Sequence, residues 1–196
     1  MKPIVQVVSP SLPPLCTREV LRYAGALGAD DATQALLQEC AVQAEGAIAA
    51  NVCYCELPLS IQGSLCEMGS LSLHSANLAK CLQHSQRVLL LCATVGYGID
   101  RLLARYSRLS PARALLLQAI GSERIEALCD TFCEQYAREM GCTLTPRFSA
   151  GYGDLPLEAQ REIFALLECS SHVGVYLNDR MLMTPSKSVT AFVGIL

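Results

Sequence analysis

Residues 88–103 read VLLLCATVGYGIDRLL: an unbroken apolar run, two glycines around a tyrosine, then the start of a helical pattern. Two folds place a strand, glycines and a helix in that order. In a dinucleotide-binding unit the glycines admit a pyrophosphate to the helix N-terminus, and an acidic residue about twenty positions on holds the ribose. Here GYG supplies two of the three glycines, and the region near residue 115 reads ARALLLQAIG, with no acid. The stretch therefore reads in preference as a buried strand entering a helix through a tight turn, with a Rossmann unit, and the classical Rossmann methyltransferase it would imply, the less favoured reading.

Working outward, strands and helices come in unequal blocks. IVQVV (4–8) is strand-like and the prolines of PSLPP end it. TREVLRYAGAL (17–27) reads as a helix with Thr17 at its N-cap, and a second helix runs from Asp31 to Ala50. VCYCELPLSIQ (52–62) is strand-like, Gly63 breaks it, and LCEMGSLSL (65–73) reads as its hairpin partner. SANLAKCLQHS (75–85) is a short helix, RVLLLCATVG (87–96) a strand, and helices dominate from Gly98 to Met140. Another helix covers Pro156 to Glu168. The tail, VGVYLNDRMLMTPSKSVTAFVGIL (173–196), alternates like paired strands around the turn signal TPSK. Blocks of this kind point to an α+β fold, helices packed with short antiparallel or mixed sheets. They suit a single domain over 1–196, with an N-terminal lobe of about 1–96 and a ligand-binding part of about 97–196.

Composition narrows the function classes. The chain is 52% hydrophobic and 17% charged, with a net charge of −3. No basic run stands out, so nucleic acid is not an expected partner. The start MKPIVQVVSPSLPPL lacks the apolar region of an export signal, and no apolar run is long enough to span a membrane. A cytoplasmic protein is the expectation. Eleven cysteines is a high count, and Cys81, Cys92, Cys129 and Cys133 fall inside apolar periodic segments. They read as reduced thiols packed as small hydrophobes. Cys53 and Cys55 alternate on a strand with no CxxC pair or nearby His, so no metal site is expected.

Two polar features remain. In SERIEALCDTFCEQYAREM (122–140) the apolar stripe is Ile125, Leu128, Cys129, Phe132, Cys133, Tyr136 and Met140. Glu126, Asp130 and Glu134 form a second stripe at spacing four. It is either a solvated face, with Arg138 pairing Glu134, or an acidic wall facing a cationic ligand. RFSAGYGDLP (147–156) then sets an arginine beside two glycines, a tyrosine and an aspartate. Gly151 and Gly153 let the backbone turn sharply or approach a ligand. Arg147 can grip a carboxylate through parallel hydrogen bonds, and Tyr152 offers a flat face to an aromatic base. Asp154 reads as the cap of the helix that follows. The set suits an amino acid joined to a nucleoside, as in S-adenosylmethionine.

These stretches resemble the activation (reactivation) domain of vitamin B12-dependent methionine synthase, and most closely its small stand-alone versions. That family's Arg-x-x-x-Gly-Tyr signature is matched by Arg147, Gly151 and Tyr152, and ERIEALCD places Glu126 at its acidic helix position. The tail resembles the family's Gly-to-Ser-Val segment through Gly174, Leu177, Met183, Pro185, Ser188 and Val189. It departs where the family carries Thr-Glu-Ser, here Asn178, Asp179 and Arg180, and where a ligand-contacting Tyr stands, here Met181 followed by Leu182. Ala150 and Gly153 replace frequent prolines, and the family's N-terminal acidic contact has only Asp30 and Asp31 as candidates.

The resemblance implies S-adenosylmethionine bound by Glu126, Arg147, Ala150, Gly151, Tyr152, Met181 and Leu182. It implies an accessory component of a methyltransferase of methionine biosynthesis, supporting reductive methylation of cob(II)alamin with an electron from a flavodoxin- or ferredoxin-type donor. The family's cobalamin-ligating Asp-x-His-x-x-Gly motif is absent, so the cobalamin belongs to a partner, a methionine synthase or another corrinoid protein. No nucleophile–base pair is found, so no catalytic residue is assigned. The alternative is a non-catalytic docking or chaperone module for a corrinoid protein, with a degenerate ligand site.

Overall fold

The computed structural model describes residues 3–196. Its centre is strand β5 (Arg87–Thr94), buried along its whole length except at Arg87. Val88, Leu90 and Cys92 pack into one core, while Leu89, Leu91 and Ala93 pack into another on the opposite face. Successive strand side chains point to opposite faces, so a strand covered on both sides needs apolar residues at every position. That is why the run shows no alternation.

The flanking strands follow the same logic. β2 (Asn51–Gln62) pairs with β5 from Asn51↔Thr94 to Pro58↔Arg87, and β8 (Ser188–Ile195) pairs with its other edge from Thr94↔Ser188 to Arg87↔Ile195. β1 (Gln6–Val8) adds to the first part of β2, β3 (Leu65–Met68) to its last part, and β4 (Leu71–His74) to β3. Each of these pairings is antiparallel. A dinucleotide-binding unit needs parallel strands joined by crossovers, so the topology excludes it. The sheet also spans both halves of the chain, because β8 comes from the last residues and β5 from the middle.

One face carries α1 (Thr17–Tyr23), α2 (Asp31–Glu45), α4 (Gly98–Tyr106) and α5 (Pro111–Met140). The other carries α3 (Ala76–Leu82), α6 (Gln160–Leu167) and α7 (Cys169–Val173). The result is a three-layer α+β domain. Among the described residues no helix is long and apolar enough to cross a membrane. At 30 residues α5 is about 45 Å long. Ser110 caps it, Gly141 ends it at φ 62°, and Leu128, Cys129, Phe132 and Tyr136 bury its stripe. Met140, at the last turn, is 54% exposed and leaves the stripe.

Local readings shift at several ends. Thr17 is the first residue of α1 rather than its cap; Cys16 stands at the N-cap position and makes no side-chain cap bond. α2 stops at Glu45, before Gly46. LCEMGSLSL folds back at Gly69, giving two strands instead of one. In the tail, β6 (Tyr176–Leu177) pairs with β7 (Met183–Thr184) around residues 178–182. The TPSK segment carries the chain into β8, which joins β5, because Ala191, Phe192 and Val193 are apolar toward both cores.

Candidate functional site

After α5 the chain returns along the free edge of β8. Bridges pair Leu144 with Ile195 and Phe148 with Phe192, and the Phe148 and Phe192 amides exchange hydrogen bonds at 2.9 and 2.7 Å. This two-point stitching fixes Arg147 between sheet edge and helix. Its side chain, 23% exposed, reaches α5 and donates from Nη2 to Glu126 Oε2 at 2.7 Å and from Nη1 to Asp130. Glu126 and Asp130 are one helical turn apart and share a face. Burial works against the Arg147 charge, but the hydrogen bond to Asp130 and the surrounding negative charge raise its pKa above the ordinary value. The acidic stripe is thus split: its first two members clamp the arginine, and Glu134 is exposed. No ion pair joins Glu134 to Arg138 among the described residues.

The clamp forms one wall of a cleft of about 890 Å³. Ser188, Val189 and Thr190 line it from β8, Ala150 and Tyr152 from the loop, and Met181, Leu182 and Met183 from the β6–β7 hairpin. Of the residues singled out in the sequence, Glu126, Arg147, Ala150, Tyr152, Met181 and Leu182 line it, and Gly151 joins two of them at φ 89°. Ala150 is buried, whereas Tyr152 is 67% exposed at the rim. In the hairpin Asn178 Oδ1 accepts from the Arg180 amide at 2.9 Å and the Leu182 amide at 3.0 Å. That turn holds Met181 at φ 60°, a left-handed conformation costing about 1 kcal/mol or more outside glycine.

Sequence reasoning missed other lining residues. The sequence marks Asp130 only as part of a stripe. Gln160 is buried and accepts from Thr190 Oγ1 at 2.9 Å, while Ser149 Oγ donates to the Thr190 carbonyl at 2.7 Å. A lone Gln, Thr or Ser has no signature; only the distance of each from the Arg147 motif in space marks it. Asp30 and Asp31 do not line the cleft: Asp30 caps α2, accepting from the Thr33 amide at 2.9 Å.

Asp154 also takes a different role from the one its sequence suggests. It does not cap the helix after it. Instead it accepts from the Ser75 hydroxyl and from the Ala76 and Asn77 amides at 2.7 and 3.2 Å, tying the loop to the start of α3. The Ser75 bond, helped by those amides, holds its carboxyl down to about 2. A folded-state pKa below the unfolded value adds stability above the ordinary carboxylate pKa, and this is lost as pH falls. Stability from Asp154 should therefore disappear between about pH 4 and about pH 2. Asp154→Asn should remove that part of the acid dependence; acid-unfolding curves that superimpose for wild type and variant would refute it.

The site and sheet define a class: a three-layer α+β domain with an antiparallel centre and a charged cleft at its last edge strand. The chain has the fold of the MetH reactivation domain. It matches the crystal structure of that domain bound to AdoHcy with a TM-score of 0.72 and 15% identity, covering 98% of this chain and 78% of that one. No protein-family model matches the chain, and no curated protein matches it in sequence.

Proposed function

We propose that the cleft binds S-adenosylmethionine and that the protein serves as a reactivation component for a corrinoid methyltransferase. The observation that carries this is the Glu126–Arg147–Asp130 clamp facing the Tyr152 rim. Two carboxylates and one guanidinium leave a net single negative charge on the wall. S-adenosylmethionine brings a sulfonium, an ammonium and a carboxylate, a net single positive charge. The structural counterpart was crystallised with AdoHcy, the same molecule without the methyl group and the sulfonium charge.

Each residue has a role in that reading. Arg147 has five N–H donors, so its two carboxylate partners do not exhaust it, and it can still meet the ligand's carboxylate. Glu126 and Asp130 attract the cationic groups. Tyr152 supplies a face for adenine, and Ser188 and Thr190 offer polar groups along the floor. S-adenosylmethionine supplies the methyl group, and the chain's own work is positioning. The corrinoid would be held by a partner, with its electron drawn from a flavodoxin- or ferredoxin-type donor. Exposed apolar residues at the cleft mouth support such docking: Tyr152 is 67% exposed and Leu182 58%.

The test is calorimetry with both ligands. Glu126→Gln should weaken S-adenosylmethionine binding about fivefold, since a half-exposed ion pair is worth about 1 kcal/mol. It should weaken AdoHcy binding less, because the sulfonium charge is gone. Glu134→Gln, on the exposed part of the stripe, should change neither. No binding of either ligand at millimolar concentration by the wild type would replace this reading with the docking module.

A further inference from the structure

On the face of the sheet away from the long helix, Cys53 of β2 and Cys92 of β5 are direct cross-strand partners. Cys169, at the start of α7, closes over them. The three sulfur atoms lie within 4.8 Å of one another, and all three residues are fully buried. Sulfurs bound to one metal at about 2.3 Å stand roughly 4 Å apart, so a small inward movement makes them a ligand set. Cys55 and Cys66 share the same core but do not join the cluster.

We propose that Cys53, Cys92 and Cys169 form a structural site for zinc, with His172 as the fourth ligand. His172 follows Cys169 by three residues on α7, which places both on one side of that helix. Its ring lies outside the 4.8 Å sulfur cluster, so ligation requires the side chain to turn toward the three thiols. Its Nε2 is 3.8 Å from Glu168 Oε2, the kind of carboxylate that orients a ligating imidazole. Charge selects the cation. Three thiolates and a neutral imidazole leave one net negative charge on a zinc complex, against two on a copper(I) complex, and net charge in a dry core is costly. Binding releases the three thiol protons to solvent. The site would pin α7 to β2 and β5, just before the β6–β7 hairpin that lines the cleft. Its ligands come from positions 53, 92, 169 and 172, so the sequence shows only one short Cys-x-x-His step, Cys169 to His172, and the other two ligands stand far from it.

The full chain, purified under reducing conditions from zinc-supplemented cells, should carry one zinc per chain. Stripped protein should take up one cobalt(II), with the thiolate charge-transfer band and intense visible bands of a tetrahedral site. Cys169→Ala should lose the zinc and the bands. Cys55→Ala, equally buried nearby, should keep both, which separates lost ligation from lost packing. His172→Ala should weaken cobalt binding at least tenfold and shift the visible bands while the charge-transfer band stays. Metal-free protein that gives no charge-transfer band with cobalt(II) would overturn the proposal, as would unchanged zinc in Cys169→Ala. A His172→Ala variant with unchanged affinity and spectrum, or uptake of copper(I) but not zinc, would overturn the four-ligand zinc set.

Discussion

Gly98→Ala is expected to lower the melting temperature by roughly 6–12 °C. Gly98 opens α4 directly under the end of α2. A Cβ there would sit 1.9 Å from the Ala47 carbonyl oxygen and 2.6 Å from its carbon. These are backbone atoms, so no rotamer can relieve the overlap, and the α2–α4 junction has to move. Overpacking of that kind costs about 3 kcal/mol or more, and a domain of this size loses about 2–4 °C per kcal/mol. Helix propensity alone would favour Ala by about 1 kcal/mol, so the clash decides the sign. Gly46→Ala is the control: its φ is −71° and nothing lies within 4 Å, so it should be neutral or slightly stabilising. Thermal unfolding of both variants decides. A Gly98→Ala protein melting within about 2 °C of wild type would mean that close packing is not why glycine stands there.

The same turn shows how much of the fold was legible. VLLLCATVGYGIDRLL gave strand, turn and helix correctly, because a strand covered on both faces carries its evidence in its own residues. The glycines serve chain geometry: Gly96 at φ 79°, Gly98 by close approach. The loop residues of the cleft were equally legible, since Arg147, Ala150, Gly151 and Tyr152 lie in six consecutive positions. What escaped is what depends on distant partners. Asp154 looked like a local cap, yet its acceptors serve donors 77 to 79 positions away. The stripe of Glu126, Asp130 and Glu134 could be seen, but only the path of the chain along β8 shows that Arg147 reaches the first two. The cysteine cluster likewise draws on β2, β5 and α7.

Arg147→Ala should weaken S-adenosylmethionine binding by about 1.5–3 kcal/mol, roughly 10- to 150-fold in Kd. Two losses combine. The ligand's carboxylate loses a charged donor, and Glu126 and Asp130 lose the cation between them. Without it the wall's net charge changes from one negative to two, which by itself favours a cationic ligand. The predicted loss therefore requires that the carboxylate contact outweigh the gain in general attraction. That contact is the better placed of the two effects, because Arg147 is 23% exposed while its partners are 46% and 62% exposed and largely screened by water. The sequence alone suggests that a loop arginine can be removed without cost to the fold. The clamp to α5 argues otherwise, and a small loss of stability, about 1 kcal/mol, should accompany the variant. Arg147→Lys separates the two effects: it keeps the charge but not the planar fork. If orientation matters, Lys should recover stability better than affinity. An Arg147→Ala protein that binds S-adenosylmethionine as tightly as wild type, or more tightly, would show that Arg147 only organises the acidic wall and does not hold the ligand.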